Sequence, residues 1–293
     1  MKFLVGLVSL IAVLIVASFV RTPTIPDVAE SEFGTSRQAP ENSKTPESFK
    51  ELGDFLEKEK VATDRIKEDK SLLSTKFSPE ESAAVQRMAT KVASSGICFF
   101  PIRGNGAGNR SMVYALSAKA LRYQLVLNFQ NGNAQAVRKN FDDLVALGDN
   151  LSTTKDAGLV GYVISATVEG SLLGISEALL SSPGKADYSE TVRNFLASKS
   201  KNPVLFKESL LFETEETVRV LRKASETGNG NVFSLSAATG QSTMKDYAAR
   251  TIDTDYAKKA LMLLAKFNLP ETSTETIRSF HDSLPYCWTE GEI

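Results

Sequence analysis

The chain has 293 residues, with 34 Lys and Arg against 35 Asp and Glu, one histidine and two cysteines. Balanced charge with no basic cluster argues against a nucleic-acid partner, because neutralising phosphates needs a concentrated positive face. A lone histidine excludes a histidine-rich zinc site or a metalloprotease helix, and no metal or cofactor is expected.

The first element is apolar. Phe3 to Val20 is an uncharged run between Lys2 and Arg21. As a helix it covers about 27 Å, close to the roughly 30 Å of a hydrocarbon core. The run is longer than a usual secretory-signal core, and the one cleavage-like tripeptide, Val16-Ala17-Ser18, lies inside it. Residues 1–20 therefore read as a membrane anchor, with a cleaved signal as the alternative. A terminal helix apolar on all faces has nothing local to pack against, which disfavours a core helix. Lys2 weakly orients the N-terminus to the cytoplasm, leaving the body outside the cytoplasmic membrane, in the periplasm or extracellular space. Residues 21–45 hold Pro23, Pro26, Gly34 and Pro40 among many Ser, Thr, Asn and Glu, and read as a flexible tether.

Residues 46–293 read as a helical domain. Thr45-Pro46-Glu47 sets a capping residue before a proline at the first helical position. Ser78-Pro79-Glu80-Glu81 adds a capping box, and Asn202-Pro203 and Thr272-x-x-Glu275 mark later starts.

The centre predicts a helical hairpin. Ser111 to Gln130 carries Leu116, Ala120, Leu121, Tyr123, Leu125 and Leu127, with Lys119, Arg122 and Gln130 on one side. Asn131-Gly132-Asn133 stops it, since Gly and Asn tolerate the left-handed conformation. In the next helix Ala134, Val137, Phe141, Leu144 and Gly148 form an apolar stripe, spaced for a single face. Arg138 with Asp142 and Lys139 with Asp143 are expected as surface pairs. So short a connection makes the two helices antiparallel.

Residues 155–181 predict a long helix with small residues at fourfold spacing: Ala157, Gly161 and Ser165, then Ala166, Gly170, Gly174 and Ala178. Such spacing permits close helix approach, in a second membrane span or in a buried helix clasped by the hairpin. Glu169 in the middle of this apolar stretch favours the buried helix. Further helices are expected near Pro203–Ala224 and Asp255–Asn268, then a short one with Ile277, Phe280 and Leu284. Ile97–Ile102 and Val232–Leu235 are the short strand candidates.

The fold class is therefore all-α, an irregular helical bundle or an α-solenoid-like stack of hairpins. No repeat of fixed period runs along the chain, and the large and small residues of a tetratricopeptide unit are not at their places.

Cys98 and Cys287 are candidates for one disulfide in an oxidising compartment, two separate buried thiols being the alternative. Closing so long a loop is worth about 5 kcal/mol at most in the chain-entropy model. The loop Gly104-Asn105-Gly106-Ala107-Gly108-Asn109 offers backbone N–H groups to a ligand, but its spacing matches neither a dinucleotide fingerprint nor a phosphate loop. Gly104, Asn105, Gly106, Gly108 and Asn109 are thus ligand-binding candidates. Ser242 and Lys245 have the Ser-x-x-Lys spacing of a hydrolase dyad, as do Ser152 with Lys155 and Ser198 with Lys201, and companion motifs are absent. His281 on a short amphipathic helix reads as structural. Asp142-Asp143 and Glu215-Glu216 read as surface charge, and Asp253-x-Asp255 as a helix-start pair. Asn109-Arg110-Ser111 and Asn150-Leu151-Ser152 are glycosylation sequons.

These readings converge on a membrane-anchored, non-enzymatic helical module of the envelope. It is expected to bind a protein or an envelope component while residues 1–20 engage the membrane. An envelope hydrolase using Ser242 and Lys245, and a small-ligand binding domain, are the alternatives.

Overall fold

The structure is a computed structural model that describes residues 46–66, 72–95, 107–153, 158–201, 255–273 and 275–277. The anchor and tether (1–45), Cys98, Cys287, both strand candidates, Ser242, Lys245, His281 and the 203–224 helix lie outside the described residues. The described residues contain helices and no strand, so the chain is all-α there. In order they are α1 (Pro46–Lys60), a 3-10 turn (Leu72–Ser74), α2 (Pro79–Ser95), α3 (Ala107–Gln130), α4 (Ala134–Thr153) and α5 (Gly158–Ser181). A second 3-10 turn (Lys185–Asp187), α6 (Ser189–Lys201) and α7 (Asp255–Lys266) follow.

The caps explain where several helices begin. At α2 the Ser78 N–H donates to Glu81 Oε2 at 2.7 Å and the Glu81 N–H to Ser78 Oγ at 3.2 Å, the reciprocal capping box. The hairpin turn is equally legible. Gly132 takes φ of +69°, and Asn133 Oδ1 accepts from the Ala136 N–H at 3.1 Å, capping α4. The later start is shifted by one residue from expectation. Ser273 Oγ, rather than Thr272, accepts from the Thr276 N–H at 3.2 Å.

Helix α3 is the axis of the assembly, packing against α1, α2, α4 and α5. Val113, Tyr114, Leu116, Ala120, Leu121, Leu125 and Val126 are all buried on it, which is why it shows no clean polar face. Gly53 lets α1 approach it, since a Cβ there would stand 2.8 Å from Val113 Cγ2. Helix α4 lays its expected stripe of Val137, Phe141, Leu144 and Gly148 inward, and the Phe141 and Phe195 rings meet edge to face at 5.3 Å. Helix α7 docks on α6 and α5, with Ala260, Leu263 and Leu264 buried and Tyr256 Oη donating to the Ala166 carbonyl at 3.1 Å.

Helix α5 is long and apolar enough over Val160–Ser181 to cross a membrane, yet half of that window is buried. It packs against α3, α4 and α7, the behaviour of a helix clasped by a hairpin. The small residues divide between its faces. Gly161 and Ser165 are buried, whereas a Cβ on Gly170 or Gly174 would meet nothing within 4 Å.

Candidate functional site

Two features of α5 stand out, one closed and one open. The closed one is ionic. Lys199 on α6 places Nζ 2.5 Å from Asp149 Oδ1 of α4 and 2.6 Å from Glu169 Oε1 of α5. Glu169 is fully buried, and Lys199 and Asp149 are 3 % and 8 % exposed, so solvent screens this cluster poorly. Ser165 Oγ donates to the Gly148 carbonyl at 2.8 Å beside it, and a Cβ on Gly148 would touch Glu169 Oε1 at 3.4 Å.

Burial by itself would push the Lys199 ammonium down. Asp149 and then Glu169 more than reverse this and hold it well above the usual lysine range. The two carboxylates therefore favour the charged ammonium at this position. The cluster links three helices, and its charged groups are buried.

The open feature is a groove between α3 and α5 with α4 as its floor, enclosing about 230 Å³. Ala115, Ala118, Lys119 and Arg122 line one wall, Val163, Ile164, Thr167, Val168 and Ser171 the other, and Leu144 the base. Arg122 Nη1 donates to Ser171 Oγ at 2.7 Å, closing one end. Lys119 Nζ lies 4.0 Å from Asp64 Oδ1. On the same two helices Met112, Val160 and Val163 are 52 %, 48 % and 59 % exposed. Along α5 the outward residues Val160, Val163, Thr167, Gly170 and Gly174 carry no charge and repeat with helical spacing.

The candidates read from sequence meet this geometry unevenly. Gly108 and Asn109 belong to the first turn of α3, which begins at Ala107 rather than at Ser111, so the expected ligand loop is shortened; Gly104, Asn105 and Gly106 lie outside the described residues. Ser198 is buried while Lys201 is exposed and donates to the Thr272 carbonyl at 3.1 Å, so these two form no dyad. Lys139 and Asp143 pair at 2.7 Å as expected. Arg138 donates instead to the Asp187 carbonyl at 3.2 Å, and Asp142 is no solvated surface charge. Its Oδ1 is buried with no hydrogen-bond partner among the described residues. Burial, then the neighbouring Asp143, push the Asp142 carboxyl up to about 6.

Helix α6, with Lys199, is absent from the sequence expectations. Its signal was present in the spacing of Val192, Phe195, Leu196 and Lys199 after the Ser182-Pro183-Gly184 stop. No protein-family model, curated protein or solved structure matches this chain.

Proposed function

We propose that the chain is a membrane-tethered helical binding module of the envelope, acting through the α3–α5 face rather than by catalysis. One observation supports this most strongly: the uncharged outer row of α5, from Val160 to Gly174, is left uncovered beside an apolar groove. Exposed apolar patches beside a groove are characteristic of interaction sites. The rigid helical stack behind that face gives it a fixed shape, because the Lys199 cluster ties α4, α5 and α6 together. Residues 1–20 and 21–45 supply the anchor and tether in this reading.

The test uses a photoreactive amino acid placed at Val163 in the full-length chain in intact cells, with Gln86 on the exposed face of α2 as control. Capture of one recurrent component from Val163 and none from Gln86 is the expected result. Equal capture from both positions, or none from Val163, removes the reading.

The small-ligand alternative draws on the same cavity. It moves the ligand site from the Gly104–Asn109 loop to α3 and α5.

A further inference from the structure

We propose that the outer face of α7 rests on the anionic surface of a phospholipid bilayer, with Leu261 and Met262 entering the headgroup layer among lysines. This surface is distinct from the α3–α5 face, and only its reach to the bilayer rests on the anchor reading.

Helix α7 buries Ala260, Leu263 and Leu264 against its neighbours, which leaves the opposite row outward. That row holds Lys258, Lys259, Leu261, Met262, Ala265 and Lys266, every one exposed and none acidic. Met262 is 70 % exposed and Leu261 43 %, two large apolar side chains in adjacent positions. Lys258 and Lys259 precede Met262 by four and three residues, and Lys266 follows it by four, so lysines flank the methionine on both turns. A lysine stem is apolar up to its ammonium. Such a side chain lies along Met262 while its charge reaches a headgroup.

Two of these lysines are available to a partner. Lys266 is engaged, donating to Glu177 Oε1 of α5 at 2.6 Å and lying 5.4 Å from the centre of the Phe267 ring. Lys259 acts on Glu177 only at longer range, behind Lys266. Lys258 and Lys259 form no ion pair among the described residues. An anionic surface complements that pair of charges.

Between a bilayer and an acidic protein, the bilayer fits better. A fixed carboxylate site favours the planar arginine fork, whereas α7 holds lysines and no arginine, point charges on flexible stems that suit a fluid array of phosphates. A stable protein interface buries roughly 1,200–2,000 Å², and one face of a helix about 18 Å long supplies far less. So small a patch suffices where the contact is intramolecular. The anchor and tether read at residues 1–45 would keep α7 near the bilayer, so this second contact needs little affinity of its own.

The test places a diazirine-bearing amino acid at Met262 in the full-length chain, reconstituted in vesicles and followed by peptide mapping for lipid adducts. Vesicles of equimolar phosphatidylglycerol and phosphatidylcholine should give adducts at Met262 and none at Gln86, the exposed control on α2. Pure phosphatidylcholine should give about tenfold fewer, as should Lys258→Gln with Lys259→Gln in anionic vesicles at an unchanged melting temperature. Ala265→Glu, which sets an acid in the outer row, repeats the loss should the double variant fold poorly. Adducts equal in the two lipid mixtures, equal at Gln86, or indifferent to these variants overturn the inference. Capture of a protein and no lipid at Met262 in intact cells overturns it too, and makes α7 a protein-docking face. Flotation of the chain with each vesicle reports the anchor separately. A chain that floats with both yet carries no lipid at Met262 keeps the anchor and loses the α7 contact. One that floats and is labelled with anionic vesicles alone keeps the contact and loses the anchor.

Discussion

On its inner side helix α5 presents Ser165 and Glu169 to α4 and α6, and a carboxylate buried there is met by Lys199 and its second partner Asp149. On its outer side, within the same turns, Val163, Thr167 and Gly170 are exposed. In both places the sequence is nearly free of charge and rich in small residues, so hydropathy alone cannot separate the two faces. Neighbours separate them. A closed face screens charge poorly, which is why the acid buried there is met by a cation. An open face has no such need, and its small residues leave room for something outside the chain.

The strongest way to break this contrast is to remove the charge from the closed side. Lys199→Met leaves Asp149 and Glu169 facing one another in a site that water reaches poorly. Stripping one partner from a buried pair typically costs about 3–5 kcal/mol, because the remaining charge is uncompensated. For a chain of this size that is a fall in melting temperature of roughly 10 °C. Replacing all three, as Lys199→Met with Asp149→Asn and Glu169→Gln, should restore most of the loss, since no net charge then remains buried. Thermal unfolding of the single and triple variants checks it. A single variant within 1 kcal/mol of wild type would mean that the cluster is hydrated in solution.

Glycines sharpen the same contrast at smaller amplitude. Gly53 belongs to the closed kind: a Cβ would stand 2.8 Å from Val113 Cγ2, so Gly53→Ala should destabilise by about 1–3 kcal/mol. Gly170 and Gly174 belong to the open kind, where a Cβ would meet nothing within 4 Å. Each alanine there should stabilise by up to about 1 kcal/mol through helix propensity. Denaturant unfolding of Gly53→Ala and Gly170→Ala should therefore shift in opposite directions. A loss at Gly170 would show that the outer face is covered in the protein as purified.

How much of this was legible beforehand follows from the same distinction. The capping box at Ser78 and Glu81, the Gly132 turn and the Val137–Phe141–Leu144 stripe are local devices, and the residues that encode them lie within a few positions of each other. They could be read directly. Glu169 was readable as an oddity in an apolar helix, but its partner could not be named. Lys199 lies 30 residues on, in a helix whose apolar face consists of Val192, Phe195 and Leu196, and the charged Ser189-Glu190 and Lys199–Lys201 ends mask that face. The groove was harder still. Lys119 and Arg122 read as the polar side of a surface helix, and α5 must be laid beside α3 before that side becomes a wall.

The smallest effect tests what burial does to an acid with no lysine set against it. Asp142 is on α4, two turns before Asp149, with Oδ1 buried and no hydrogen-bond partner among the described residues. Burial first, then Asp143, raise its carboxyl from 3.8 to about 6, while Lys139 and Arg138 pull less strongly the other way. Between those two values the folded chain binds more protons at this site than the unfolded chain does. Its contribution to stability is therefore best at low pH, declines as pH rises from about 4 to about 6, and is a constant penalty above that. This is opposite in sign to a carboxylate whose folded pKa is depressed by a partner. Asp142→Asn removes the titration, so the variant should match wild type near pH 3.5. It should exceed wild type at pH 7.5 by on the order of 1 kcal/mol, a figure reduced for partial solvent screening. Unfolding of both chains at half-unit pH steps separates the cases. Parallel curves would mean that Asp142 finds a cation in solution and behaves as Asp149 does, whereas curves that part between pH 4 and 6 show that its burial is uncompensated.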